Sequence, residues 1–137
     1  MSLHTAISRA FAYNTKRNYP FMYIAIDLHG VCFDSTYSQG DYAFINSDCK
    51  KAMQILSNRK DVKIILWSSC YKEEQTDIIK FFSDNGIEVN YFNENPECEN
   101  TVSGCFDQKF YFSILLDDKA GFDPNEDWGV IIDYFSK

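Results

Sequence analysis

No apolar run in this chain approaches the roughly 18 residues that a membrane span requires, so no stretch of it reads as a spanning segment. The five cysteines (Cys32, Cys49, Cys70, Cys98 and Cys105) are odd in number and none are spaced as CxxC. That pattern speaks against a zinc site or a disulfide framework, and reduced, mostly structural thiols in a cytoplasmic protein are expected. Basic residues are also short: 13 Lys and Arg against 20 Asp and Glu give a net charge of −7. An acidic surface repels phosphodiester backbones, so stable binding to long nucleic acid is not expected. A small phosphorylated molecule held by a metal and one lysine remains compatible with this charge. There is no internal repeat, low-complexity tract or interdomain linker, and 137 residues suffice for one domain, 1–137, with a core of its own. A monomer or weak homodimer is expected.

Acids are absent from the first 26 residues, which carry Arg9, Lys16 and Arg17. A transit leader has that composition, and Met1-Ser2-Leu3 also matches an expression scar. Leu3, Ile7 and Phe11 recur at helical spacing, which favours a docking helix within an extension over residues 1–20.

Three apolar runs carry most of the information. Phe21-Met22-Tyr23-Ile24-Ala25-Ile26 runs into Asp27, Val62-Lys63-Ile64-Ile65-Leu66-Trp67 into Ser68-Ser69, and Tyr111-Phe112-Ser113-Ile114-Leu115-Leu116 into Asp117-Asp118. Branched and aromatic runs of this length, ended by a polar break, read as strands of a parallel sheet covered on both faces. Ligands of such sheets bind at the carboxyl ends of the strands. A carboxylate, a hydroxyl and a carboxylate pair along one edge suit a divalent metal and a phosphate.

Between the runs, residues 33–45 alternate aromatic and polar side chains around Gln39-Gly40, predicting a hairpin flap. Ser47 is placed to cap a helix with Met53, Ile55 and Leu56 inward, ending near Asn58. Residues 72–85 predict a helix with Ile78, Ile79 and Phe82 inward, stopped by Gly86. Residues 87–92 predict a third strand, and 93–108 a long polar loop. Residues 128–135 predict a closing helix behind Asp127. The alternation gives an α/β protein with a Rossmann-like, open, mainly parallel sheet and helices on both faces.

The segments Asp27-Leu28-His29-Gly30-Val31, Ile65-Leu66-Trp67-Ser68, Asn93-Glu94-Asn95-Pro96 and Leu116-Asp117-Asp118-Lys119 occur in an order that resembles the haloacid dehalogenase-like superfamily. The likeness is to its small capless phage and bacterial members, which read Asp-Ile-His-Gly-Thr, Ile-Leu-Trp-Thr, Asn-Glu-Asn-Pro and Ile-Asp-Asp-Arg. It extends from about Tyr23 to Asp118. The resemblance implies a Mg²⁺-dependent phosphomonoester hydrolase, with Asp27 as the nucleophile that forms an aspartyl-phosphate. Asp27, Asp117 and the backbone carbonyl of His29 would hold the metal, with Asp118 a ligand through water or an outer partner. Ser68, helped by backbone N–H groups around Ser69, would bind phosphate. Lys109 would neutralise the phosphoryl oxygens, with Lys119, which stands where the family has arginine, as the lesser candidate.

The wider superfamily carries a second Asp where this chain has His29. Imidazole, titrating near ~6.5, can do the same acid–base work. The alternative is a catalytically weak or inactive domain that binds a phosphorylated ligand or a partner. No insert is long enough for a cap domain, so the 33–45 flap and the 93–108 loop are left to cover the site. Tyr37, Tyr42 and Phe44 of the flap are candidates to stack on a base or sugar.

Overall fold

The computed structural model describes residues 2–34, 40–102 and 104–137. It contains α1 (Leu3–Arg17), β1 (Met22–Asp27), α2 (Ser47–Asn58), β2 (Val62–Trp67), α3 (Lys72–Asp84), β3 (Tyr91–Phe92), β4 (Ile114–Leu116) and α4 (Asp127–Phe135), with a 3₁₀ turn at Asp118–Ala120. The four strands form one open sheet in the order β3-β2-β1-β4, every neighbouring pair parallel. This is the α/β architecture expected.

The strand order decides which face each crossover covers. The path from β1 through α2 to β2, and on through α3 to β3, moves one way across the sheet. The path from β3 to β4 returns past β1 in the opposite sense. Right-handed crossovers therefore put α2 and α3 on one face and the returning segment on the other. The buried side chains agree. Ile24, Ile26, Ile64, Leu66, Ile114 and Leu116 share a core with Ile7 and Ala10 of α1, Met53 and Leu56 of α2, Ile78 and Phe82 of α3, and Trp128 and Ile131 of α4. The opposite face carries Tyr23 and Ile65, covered by Cys98, Tyr91, Phe106, Phe110 and Tyr111. Helices thus line one face. On the other, where a helix was also expected, an aromatic-rich loop lies instead, because the polar 93–108 stretch lacks a helical apolar stripe.

That loop is pinned to the sheet. The Glu97 carboxylate accepts hydrogen bonds from the Tyr23 hydroxyl at 2.9 Å and from the Tyr91 hydroxyl, and the Lys63 ammonium lies 3.8 Å away. Buried Asn95 donates to the Tyr111 carbonyl at 2.8 Å and accepts from the Glu97 N–H at 3.2 Å. Burial, and then the bond to Glu97, push the Tyr23 phenol well above its ordinary range, so it remains a donor.

Several boundaries differ from the sequence expectation. Asn46, not Ser47, caps α2, its Oδ1 accepting from the Cys49 N–H at 2.8 Å. In α3, Ile78 and Phe82 are buried but Ile79 is 38% exposed, because Ile79 lies about 100° round the helix from Ile78, whereas Phe82 shares its row. The third strand shrinks to Tyr91–Phe92, since Ile87 still bonds back to the Phe82 carbonyl of α3. The fourth begins at Ile114, although the Ser113 N–H already reaches the Tyr23 carbonyl at 2.7 Å. At the flap, Phe33 and Phe44 form an antiparallel bridge. The expected turn at Gln39-Gly40 begins in residues 35–39, outside the described residues, as does Tyr37.

α1 packs into the same core, with Ile7 fully buried and Phe11 stacked on Tyr134 of α4 at 6.0 Å. Among the described residues, no helix is long and apolar enough to cross a membrane.

Candidate active site

Register brings the acids together. Ile26 pairs with Leu116, so Asp27 and Asp117, each one residue further on, end neighbouring parallel strands side by side. The 3₁₀ turn that follows β4 adds Asp118. Carboxylate oxygens of Asp27, Asp117 and Asp118 all lie within 4.8 Å of one another. Oxygens bound about 2.1 Å from a Mg²⁺ ion stand at most about 4.2 Å apart, so a small side-chain rotation would let all three share one cation. An oxygen-only donor set is the kind a hard divalent cation selects.

Two local devices fix this geometry. After β1 the chain coils tightly: the Leu28 carbonyl accepts from the N–H groups of Cys32 at 3.0 Å and Phe33 at 2.9 Å, while the Gly30 N–H bonds the Phe33 carbonyl at 2.8 Å. Leu28, Val31, Cys32 and Phe33 are fully buried, and the indole N–H of Trp128 in α4 holds the Val31 carbonyl at 2.9 Å. Gly30 adopts φ +76°, and a β-carbon there would stand 2.6 Å from Asp118 Oδ2. Only glycine lets Asp118 approach the turn. The Asp117 carboxylate accepts from the Lys119 N–H at 2.9 Å, which aims it back at the strand ends.

The three acids repel one another. Burial, then the Asp117 charge and the contact with Asp118, raise the Asp27 carboxyl to about 7, against a lowering by the Leu28 N–H. A nucleophilic carboxylate must be ionised, and positive charge between the acids would restore that state at neutral pH.

Ser68 is buried at the end of β2, beside the turn that follows Asp27. Its Oγ accepts from the Cys70 N–H at 3.2 Å. Ser69 is exposed. Sequence reasoning quoted Asn93 but gave it no role, and the structure supplies one. Its amide accepts from the Ser68 N–H at 2.8 Å and donates to the Ser68 carbonyl at 2.7 Å, clamping both sides of the serine. Asn93 does this at φ +58°, a left-handed conformation that asparagine tolerates better than most residues. That preference was the available signal. Asn93→Asp keeps the backbone fit but loses the donor, leaving two oxygens face to face. Chemical denaturation should show a loss of about 1–3 kcal/mol.

The lysines are less settled in place. Lys109 is exposed, with its Nζ 5.8 Å from the Phe112 ring centroid. Among the described residues, neither the Lys109 nor the Lys119 ammonium forms an ion pair with the acids, although the Lys119 backbone N–H bonds the Asp117 carboxylate. His29 is half-buried in the turn after Asp27. Tyr42 and Phe44 are half-buried: both pack on Phe81, and Tyr42 also on Phe33. Of the five cysteines, Cys32, Cys49 and Cys98 are buried and none is paired.

Neither a protein-family model nor a curated relative matches this chain. Its fold is shared with the solved structure of a conserved protein from Bacteroides thetaiotaomicron, at a TM-score of 0.64 and 24% identity, over 85% of this chain and 93% of that one.

Proposed function

We propose that this protein is a Mg²⁺-dependent phosphomonoester hydrolase of the haloacid dehalogenase-like type, acting in the cytoplasm on a small phosphorylated substrate. The observation that carries this reading is the convergence of Asp27, Asp117 and Asp118 at the carboxyl edge of the sheet, within 4.8 Å. When bound by these carboxylates and the His29 carbonyl, Mg²⁺ supplies the positive charge that lets an anionic phosphate approach them. An Asp27 oxygen attacks phosphorus as the bond to the leaving oxygen breaks, and the His29 imidazole gives that oxygen its proton. Water then attacks the aspartyl-phosphate, His29 takes a proton back, and phosphate leaves with Asp27 regenerated. Ser68 donates its hydroxyl to a non-bridging phosphoryl oxygen. Lys109 serves as the mobile cation and must swing from Phe112 to do so.

The resting place of Lys109 also favours a second reading, a domain that binds a phosphorylated ligand or partner with little turnover. Chelator-treated protein assayed on phenyl phosphate separates the two. Activity that returns saturably with added Mg²⁺ is expected. Phosphate binding without metal-dependent turnover would leave the second reading instead.

A further inference from the structure

Two large aromatic side chains stand exposed beside this edge: Trp67 at 42% and Tyr71 at 78%. We propose that they form a stacking subsite for a planar ring in the leaving group, so that the preferred substrates are ring-bearing phosphomonoesters such as nucleoside monophosphates or aryl phosphates. The inference rests on the phosphohydrolase reading and names its substrate class.

The placement follows from register. Trp67 pairs with Asp27 across parallel strands, so their side chains leave the same face from backbones about 4.8 Å apart. Trp67 is therefore the neighbour of the nucleophile on one side, as Asp117 is on the other. Ser68, the phosphate-binding candidate, lies between Trp67 and Tyr71 in the chain. Tyr71 is held at the start of α3, its N–H bonded to the Glu74 carboxylate at 3.2 Å. A phosphoryl group held between Asp27 and Ser68 must direct its leaving group along this rim.

Among the described aromatic side chains of the flap, Tyr42 and Phe44 are half-buried and packed on Phe81, whereas Trp67 and Tyr71 are exposed. Trp67 itself is supported on one side by Phe110, with ring centroids 5.4 Å apart. That contact fixes the indole and holds the segment bearing Lys109 near the same rim. Among the described residues no cap domain stands over this edge, so recognition beyond the phosphate falls on rim side chains. Stacking suits an open edge because it needs only one face of the ring.

Two arms test the proposal. In the first, phenyl phosphate, uridine monophosphate, ribose 5-phosphate and glycerol phosphate are compared with Mg²⁺ present. Wild-type KM should be lower for the two ring-bearing substrates. Trp67→Ala and Tyr71→Ala should each raise that KM about tenfold, with a smaller effect on kcat and on the ring-free pair. Trp67→Phe and Tyr71→Phe should restore most of the preference, because a ring face rather than a polar tip is needed. Preference for the uridine ester over the phenyl ester would point to nucleotides, and the reverse to aryl phosphates.

The second arm needs no turnover. Trp128 is fully buried, so added ligand should quench the emission of Trp67. Uridine monophosphate should quench it saturably, ribose 5-phosphate should not, and Trp67→Phe should abolish the response. If no ester is hydrolysed, the phosphohydrolase reading fails and this arm alone decides the subsite. Equal KM values across the four esters, or equal quenching by the ring-bearing and ring-free ligands, would overturn the proposal.

Discussion

Asp27→Asn is expected to abolish turnover of phenyl phosphate while the protein stays folded. The amide has nearly the shape of the carboxylate but cannot form the acyl-phosphate, so no slower route through residue 27 survives. The stability readout is separate. Without metal, the folded state holds a proton on Asp27 up to about pH 7, whereas the unfolded chain releases it near ~3.9. Folded protein thus binds more protons than unfolded protein between those values, and stability must fall as pH rises across that window. Urea denaturation of chelator-treated wild type should show this decline between about pH 4 and pH 7. Asp27→Asn should flatten it and be the more stable protein at pH 7. Added Mg²⁺ should reverse the order, because the wild type gains a ligand-bound state that the variant binds less well. Wild-type turnover in the purified variant would rule out covalent catalysis at Asp27.

The second large effect concerns His29. His29→Ala should slow hydrolysis of poor leaving groups, such as alkyl phosphates, by on the order of 10²–10⁴. The loss should be much smaller for an aryl phosphate, whose oxygen leaves with little help from a proton. His29→Asp, which places there the second Asp of the superfamily that the motifs resemble, should recover activity on the alkyl ester. Its carboxyl can carry the same proton from the same turn. The comparison requires kcat for the three proteins on one good and one poor leaving group. Equal losses on both substrates would mean that His29 only shapes the turn.

The α/β class and the gathering of the strand ends were legible in the sequence; the cover of each sheet face was not. Asp27, Ser68 and Asp117 each end an apolar run, and strand ends in a parallel sheet gather at one edge whatever the connections between them. That argument needs no knowledge of strand order. Which face each connection covers does need it. The polar stretch from Asn93 onward showed no periodicity because its anchors are single contacts: Asn95 to the Tyr111 backbone, and Glu97 to Tyr23 and Tyr91. Such contacts leave no repeating signature. Ile79 was misplaced for a related reason. Its hydrophobicity is legible, but its direction depends on how α3 is rolled against the sheet. The Asn93 clamp joins residues 25 apart in sequence, and only the asparagine's tolerance of a left-handed backbone hinted at it. The packing of Tyr42 and Phe44 on Phe81 was not legible either, because alternation in a hairpin cannot tell an outward face from one laid on a helix.

The bond from the Trp128 indole to the Val31 carbonyl spans 97 positions, and it sets a timetable. During synthesis the turn that carries Asp27, His29 and Gly30 emerges early, but its last fastener leaves the ribosome only after residue 128. Its acidic partners at 117 and 118 arrive little sooner. Until then the nascent chain can pair β1 with β2 while the carboxylate cluster is still incomplete. Assembly of this edge waits for residues 117, 118 and 128, as a consequence of where the tryptophan sits.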